Sequence, residues 1–248
     1  MIKRFWNMSV AVIGLIFFKI KYPNTQWLRP KKIGTFYSQD GQDLYLASLL
    51  FSAITKSPDK DSWIVDVGCN HPINFSNSFF FEKFFNTKVL AIDPIKEFSS
   101  LWEDKRSNAI FCSSAVGDYV GTTTLNIPVT CVEDNMFSFV DQGVNKRSDI
   151  NFEKRIVKIT RLKDLFVKHK IKEIILLSID VEGFELSALR GINFDDVLIR
   201  CIVLENNSKH LYGSHDIRKF LIERNYVFHA RIGHLDDVYI HGSMIRGE

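Results

Sequence analysis

The stretch Trp63-Ile-Val-Asp-Val-Gly-Cys-Asn-His-Pro72, together with Val89-Leu-Ala-Ile-Asp-Pro94, decides the fold of this chain. Each is a short apolar run, rich in β-branched residues, that stops at an acidic residue beside glycine or proline. Buried parallel strands have this pattern when they deliver a carboxylate to the carboxyl edge of a sheet. The sequence therefore predicts an α/β domain whose parallel strands carry acidic residues to one edge.

The turn Asp66-x-Gly68-x-Asn70 indicates what that edge binds. In a doubly wound fold this turn needs glycine because the backbone passes close to a ligand, and an acidic residue about 20 residues further on can bind ribose hydroxyls. Asp93 has that place, although the spacing is slightly longer. A single glycine disfavours a dinucleotide and favours a ligand with one ribose and an amino-acid tail, such as S-adenosylmethionine. A buried strand that ends in a solvated turn is the alternative.

Further segments complete a doubly wound, mostly parallel sheet. Buried runs at 174–179 and 198–204 end at Asp180 and Glu205, so four strands bring acids to one edge. A run at 110–116 predicts a third strand that ends in small residues with room for an adenine ring. The other predicted elements are helices at 44–54, 76–85, 98–105, 162–168 and 216–225, strands at 121–127 and 156–159, and a hairpin of 226–230 with 238–241.

Composition excludes several classes of protein. The 248 residues are 46% hydrophobic and 25% charged, which suits one large α/β domain and an appendage. Four cysteines without a C-x-x-C pair predict neither a zinc site nor a disulfide framework, and a reducing compartment is the simpler interpretation. Residues 1–32 hold seven basic residues and no acidic one, while the remainder has 25 basic and 29 acidic residues. Nucleic-acid binding by the domain is therefore not predicted.

The basic arm, residues 1–32, contains an apolar segment at 5–18 with Lys and Arg on both sides. As a helix it would extend about 21 Å, short of a hydrocarbon core of roughly 30 Å, although the flanking basic side chains can stretch the span. A membrane anchor, a helix packed on the domain and a cleaved signal peptide all stay open. If it spans, the basic residues after it keep the domain, residues 33–248, in the cytoplasm.

Two polar segments are candidates for loops around a site. Tyr37-Ser-Gln-Asp-Gly-Gln-Asp43 precedes the first helix, where Ser38 or Asp40 can cap the helix and Gln42 lies in its first turn. A polar lid over the cofactor and a plain helix cap are equally compatible with that pattern. Residues 129–151 have the weakest pattern and are predicted to be a substrate-recognition insertion.

These motifs resemble those of a known family. Four segments occur in the order and spacing of the FkbM-type S-adenosylmethionine-dependent methyltransferases, over about residues 36–241: Tyr37-Ser-Gln-x-Gly-Gln-Asp43, Asp66-Val-Gly-Cys-Asn70 with Ser76-Asn77, Ala115-Val-Gly117 and Ile179-Asp-Val-Glu-Gly183. The resemblance implies a seven-stranded class I methyltransferase fold, Rossmann-like, here preceded by an N-terminal apolar helix. It typically implies O-methylation of a sugar or natural-product hydroxyl.

The resemblance also implies which residues bind the cofactor. Gly68 and Asn70 would line its methionine end, Asp93 the ribose, Ser114 and Ala115 the adenine, and Asp180 the reacting methyl; Gln42 and Asp66 complete the set. Two positions depart from the family pattern. Asp93-Pro94 stands where many members have Glu-Pro, and His71-Pro72 replaces the more usual Ile-Gly.

Methyl transfer to a hydroxyl requires an aligned acceptor and a group that removes its proton. The catalytic candidates are Asp180, Glu182 and His71, with His210 as a further base. Asp180 beside Glu205-Asn206 resembles the layout of O-methyltransferases that use a divalent cation, which makes such a cation a candidate cofactor. The alternative is that Glu182 and Glu205 only cap backbone amides, and no metal ligand is assigned.

The expected partner is a hydroxyl-bearing acceptor, a glycan or lipid-linked sugar of a polysaccharide, glycolipid or natural product, with membrane contact through residues 5–20 and no nucleic acid. The expected location is the cytoplasm, attached to the membrane if the arm is an anchor. Two other classes compete with this function. One is an inactive, membrane-tethered scaffold that keeps the fold, and the other is a nicotinamide-dependent oxidoreductase, which the missing glycines disfavour.

Overall fold

The computed structural model describes residues 36–39, 41–56, 63–129, 138–140, 151–206, 214–233 and 236–246. The predicted N-terminal apolar helix and its membrane contact, the cap Asp40, most of the 129–151 insertion and His210 lie outside these residues. Within the described part of the chain, no helix combines the length and apolar character needed to cross a membrane.

The described residues form seven helices and eleven strands, numbered here in chain order. The helices are α1 (Gln42–Lys56), α2 (Phe79–Phe85), α3 (Phe98–Lys105), α4 (Leu162–Lys168), α5 (Glu185–Arg190), α6 (Ser214–Ile222) and α7 (Gly242–Arg246). The strands are β1 (Trp63–Val67), β2 (Lys88–Asp93), β3 (Ile110–Ser113), β4 (Ala115–Val116), β5 (Gly121–Pro128), β6 (Phe139–Val140), β7 (Phe152–Thr160), β8 (Glu173–Ile179), β9 (Leu198–Glu205), β10 (Tyr226–Ile232) and β11 (Asp236–His241).

The main sheet has seven strands in the order β3-β2-β1-β8-β9-β11-β10. The first five are parallel to one another, and β11 is antiparallel to both of its neighbours, so the sheet is mixed with mainly parallel pairings. The chain builds outward from β1 to β3 and then returns to place β8 on the other side of β1. This reversal of strand order is where ligands bind in open α/β sheets, outside the carboxyl ends of the strands.

Helices cover both faces of this sheet, as the doubly wound prediction requires. On one face a core packs α1, α2 and α3 through side chains such as Leu50, Phe80 and Trp102. On the other, α4, α5 and α6 contribute side chains that include Leu165 and Leu189. The Phe-rich helix α2 therefore belongs to the core, as its composition predicts.

The prediction of one strand over residues 110–116 is wrong, because these residues form two strands. The chain leaves the main sheet at Ser114: its N–H donates to the Asp93 carbonyl at 3.1 Å, while its Oγ lies 3.2 Å from the Lys158 carbonyl in β7. The second strand, β4, joins a four-stranded sheet in the order β4-β7-β5-β6. A residue held by both sheets is thus the point where the chain changes sheet.

Two predicted helices also begin at other residues. The helix expected at 76–85 starts at Phe79, because the Ser76 hydroxyl accepts the Phe79 N–H at 3.1 Å and the preceding residues form a turn. The helix expected at 216–225 is Ser214–Ile222. In contrast, the bounds predicted for α3 and α4 agree with the structure.

Candidate functional site

A cleft with about 1040 Å³ of empty space opens at the carboxyl ends of β1, β2 and β8. It lies at the reversal of strand order described above. The three predicted catalytic residues, His71, Asp180 and Glu182, line it. So do seven of the eight predicted cofactor-binding residues: Asp66, Gly68, Asn70, Asp93, Ser114, Ala115 and Asp180.

Gly68 fixes how closely the ends of β1 and β8 approach. It has a φ of 76°, and a Cβ added there would lie 1.7 Å from the carbonyl oxygen of Asp180. The Asp180 N–H in turn donates to the Val67 carbonyl at 2.9 Å. The sequence attributes this glycine to a backbone that passes close to a ligand, whereas the atom that excludes a side chain here belongs to the neighbouring strand end.

Asp93 ties the end of β2 to the turn after β1. Its Oδ2 accepts the Asn70 N–H at 3.1 Å, and its Oδ1 accepts the Ile95 N–H at 2.8 Å. Burial raises the pKa of this carboxyl to about 6, since the two amide donors offset only part of the desolvation. Asp93 therefore shapes the turn as well as lining the cleft.

Asp66 is the most deeply placed carboxylate of the cleft. It is buried, and within the described residues its Oδ2 has no hydrogen-bond partner. Burial raises its pKa, although Ser78 and the Arg106 guanidinium act in the opposite direction. A buried polar atom without a partner is unusual in a folded protein and marks a place where a bound ligand can complete the bonding.

Arg106, which sequence reasoning missed, holds the loop that forms one side of the cleft. Its buried guanidinium pairs with Glu82 at 2.6 Å and donates to the Pro72 carbonyl at 3.0 Å and to the hydroxyls of Ser76 and Ser78 at 3.2 and 3.0 Å. The same group lies over the Trp102 ring, whose Nε1–H donates to the Asn70 carbonyl at 2.8 Å. No motif around Arg106 in the sequence predicts these contacts.

Three carboxylates meet beside the cleft: Asp180, Glu182 and Glu205 each offer an oxygen within 4.8 Å of the others. Asp180 and Glu182 line the cleft, whereas Glu205 stands behind them at the end of β9. An all-oxygen group of this kind has the ligand chemistry that Mg²⁺ or Ca²⁺ accepts.

The pKa of Asp180 is raised well above its usual range. Although the residue is exposed to the cleft, desolvation by the nearby protein is the largest cause of the rise, and the charges of Glu205, Asp236 and Glu185 follow. Burial and the carboxylates of Glu182, Glu185 and Asp236 raise the pKa of Glu205 to about 8. Glu205 can therefore take up or release a proton near neutral pH.

The turn after β8 is capped by Glu185, to which the sequence motifs assign no role. The buried Glu185 carboxylate accepts the Val181 N–H at 3.3 Å and the Gly183 N–H at 3.0 Å. Glu182 adopts a left-handed backbone conformation with a φ of 52° and lies ahead of α5. Glu185 thus caps this turn, and Glu182 lines the cleft.

The Nδ1 atom of His71 is occupied by two backbone hydrogen bonds. Its Nδ1 accepts the N–H groups of Ile73 and Asn74 at 3.0 and 2.9 Å, so the proton of the neutral ring lies on Nε2. A general base needs an unprotonated nitrogen that faces the substrate, and this tautomer does not provide one. His71 is therefore better suited to hold the turn and to offer an N–H to the cleft.

Gln42 is not among the residues that line the cleft, and its Nε2 donates to Asp236 Oδ2 at 2.6 Å. Ser38 and Asp43 cap α1 mutually: the Ser38 hydroxyl accepts the Asp43 N–H at 3.1 Å, and the Asp43 carboxylate accepts the Tyr37 N–H at 2.6 Å. The polar segment thus forms the helix cap, and its member that lines the cleft is Gln39.

At the far end of the cleft, Ser114 and Ala115 lie at the junction of the two sheets. The Ser114 hydroxyl is turned inward, 2.8 Å from the Ala115 carbonyl. The surface offered to a ligand here is therefore mainly apolar, with Leu125 and Val140 of the second sheet as further lining residues. Such a surface suits a flat ring such as adenine.

The comparison with protein families agrees with this geometry. The model of the methyltransferase FkbM domain matches residues 66–228, well over half of the chain. The match includes every residue that lines the cleft except Gln39. No curated protein matches the chain.

Proposed function

We propose that this chain, which belongs to the FkbM methyltransferase family, transfers a methyl group from S-adenosylmethionine to a hydroxyl of an acceptor molecule. The observation that carries the proposal is the cleft at the reversal of strand order, where Asp66, Asp93 and Asp180 meet around Gly68. Proteins of this family generally depend on S-adenosylmethionine. The strand order and the single antiparallel strand β11 support a class I methyltransferase arrangement.

The residues of the cleft fit this cofactor. The unpartnered Oδ2 of Asp66 offers a buried acceptor for a cationic or N–H group. Asp93 offers a carboxylate for ribose hydroxyls, and the apolar surface beside Ala115 suits the adenine. The lining combines carboxylates at the strand ends with apolar side chains such as Ile92, Val116 and Leu125, the mixture that an amino-acid tail, a ribose and an adenine require.

In the proposed reaction, Asp180 receives the proton of the acceptor hydroxyl. A sugar hydroxyl is a weak acid, and a carboxylate with a raised pKa is a stronger base than an ordinary one. Glu205, whose pKa is about 8, stands where it can share that proton. The bound cofactor supplies an electrophilic methyl group, and the chain itself aligns the acceptor oxygen and holds the proton.

The proposal includes an uncharged, hydroxyl-bearing acceptor, a glycan or lipid-linked sugar. The carboxylates beside the cleft support this because they would repel an anionic acceptor. A divalent cation held by Asp180, Glu182 and Glu205 is a second way to acidify the hydroxyl. Membrane contact through residues 5–20 and a cytoplasmic location remain predictions.

Calorimetry and a methyl-transfer assay test the proposal. The full chain is expected to bind S-adenosylhomocysteine and not NAD, and Asp180→Asn is expected to keep that affinity while turnover falls by at least ~100-fold. Asp104→Asn, on the exposed surface of α3, is the matched control. Loss of activity on chelation that Mg²⁺ restores would assign Asp180 to a metal, and binding of cofactor without methyl transfer to any hydroxyl acceptor would favour the inactive scaffold.

A further inference from the structure

Phe75 presents an aromatic ring to the cleft. The residue is 44% exposed and lines the cleft. Among the described residues, the other large hydrophobic side chains with comparable exposure are aliphatic, and none of them lines the cleft. An exposed ring inside a concave site is a surface on which a ligand can pack.

The backbone of Phe75 is held in a conformation that a bulky residue rarely adopts. Its φ is 60°, in the left-handed region. A β-bridge to Ser38 holds the residue itself, the Nδ1 of His71 holds the amides of Ile73 and Asn74 just before it, and Arg106 holds Ser76 just after it. Strain that the surroundings maintain in this way is concentrated at functional sites.

The loop that carries Phe75 is bonded to β8, the strand that precedes the proposed base Asp180. The Nδ2 of Asn77 donates to the Ser178 hydroxyl of β8 at 3.0 Å, one residue before the end of the strand that precedes Asp180. The surface suited to adenine lies beyond β2, at Ser114, on the other side of β1. The ring is thus on the acceptor side of the cleft rather than the adenine side.

Three residues with amide side chains neighbour Phe75: Asn74 and Asn77 in the same loop, and Gln39, which follows its β-bridge partner Ser38. Gln39 and Asn74 are exposed and line the cleft, and Asn77 has a buried Oδ1 that lacks a partner within the described residues. A pyranose has an apolar C–H face and hydroxyls around its edge. An aromatic ring bordered by amides matches both features, because the ring covers the C–H face while the amides bond to the hydroxyls.

We propose that Phe75 is the acceptor-binding residue of this site and that its ring packs against the C–H face of a sugar, with Gln39 and Asn74 bonding to hydroxyls at the sugar's edge. The stacked sugar then directs one hydroxyl toward Asp180. This inference rests on the proposed methyl transfer and names the part of the acceptor that the cleft recognises. It also explains why a strained backbone is kept at this position.

Saturation-transfer NMR with methyl glucoside, methyl galactoside and methyl mannoside tests the contact without requiring turnover. Magnetisation is expected to pass from the full chain to ring C–H protons of at least one glycoside. Phe75→Ala should abolish the effect, Phe75→Tyr should keep it, and Ile156→Ala, a change at a 69% exposed side chain of β7, should leave it unchanged. Absence of transfer from all three glycosides to the unmodified protein would overturn the proposal.

Steady-state kinetics separate this proposal from the cofactor assignment. For a glycoside that is methylated, Phe75→Ala should raise KM by about tenfold, the size typical of a lost stacking contact, while the Kd for S-adenosylhomocysteine stays unchanged. A weaker Kd with an unchanged acceptor KM would instead place the ring on the cofactor. Failure of the unmodified chain to bind S-adenosylhomocysteine would contradict the methyltransferase proposal, which the NMR contact does not depend on.

Discussion

Replacing Gly68 by alanine tests the close approach that shapes the cleft. The new Cβ would lie 1.7 Å from the Asp180 carbonyl oxygen, far inside van der Waals contact, and φ is 76°. The neighbouring atom is backbone, so relief requires β1 and β8 to separate at their ends. The left-handed conformation costs roughly 1–2 kcal/mol and the forced repacking roughly 1–3 kcal/mol, so the free energy of unfolding should fall by about 2–5 kcal/mol.

Gly121→Ala is the matched control, because Gly121 also has a positive φ, 158°, but an added Cβ would meet nothing closer than Tyr119 at 4.0 Å. In urea denaturation the control should lose only the backbone-strain contribution, roughly 1–3 kcal/mol, and therefore less than Gly68→Ala. Calorimetry should show S-adenosylhomocysteine binding weakened by about tenfold or more in Gly68→Ala alone, since the turn positions Asn70 and Asp93. Equal stability and equal affinity in the two variants would refute this explanation of the turn.

Two further predictions concern buried charges. Arg106→Leu should lower the free energy of unfolding, measured by urea denaturation, by ~3–5 kcal/mol because it leaves Glu82 unpaired. The double variant Arg106→Leu, Glu82→Leu should recover part of that loss, and no recovery would contradict a role for the ion pair. For Asp93, the folded pKa of about 6 lies above the unfolded value of 3.8, so its contribution to stability is present below pH 4 and is lost as pH rises to about 6, by ~3 kcal/mol. Asp93→Asn should flatten that part of the stability profile, and an unchanged profile would show that other groups cause the dependence.

The strands and several helices could be predicted because their signals are local. Apolar, β-branched runs that end at Asp66, Asp93, Asp180 and Glu205 identify four strands, and their parallel direction places the four acids at one edge. Periodic apolar spacing likewise sets the bounds of α3 and α4. In each case, burial of the side chains of one segment is sufficient to select its conformation.

The details of the cleft depend on contacts between distant residues. The change of sheet at Ser114 requires β7, which begins almost 40 residues later, to be in place. The sequence leaves open whether Glu182 and Glu205 cap backbone amides or bind a metal; in the structure Glu185 caps the turn after β8, and Gln42, a predicted cofactor residue, bonds to Asp236. Spacing in the sequence does not decide which carboxylate caps the turn or which group Gln42 bonds to, because several side chains of the same type lie within reach of each partner.

The sequence by itself determined which carboxylates reach the ligand-binding edge, since hydrophobic periodicity and parallel strand direction are enough to place them. Only the tertiary structure decided what each one does there. The raised pKa values of Asp93 and Asp180, the packing of Gly68 against Asp180 and the support that Arg106 gives to the loop all arise from burial and from neighbours distant in the chain. Desolvation and close packing are properties of three-dimensional surroundings, and no local pattern of residues encodes them.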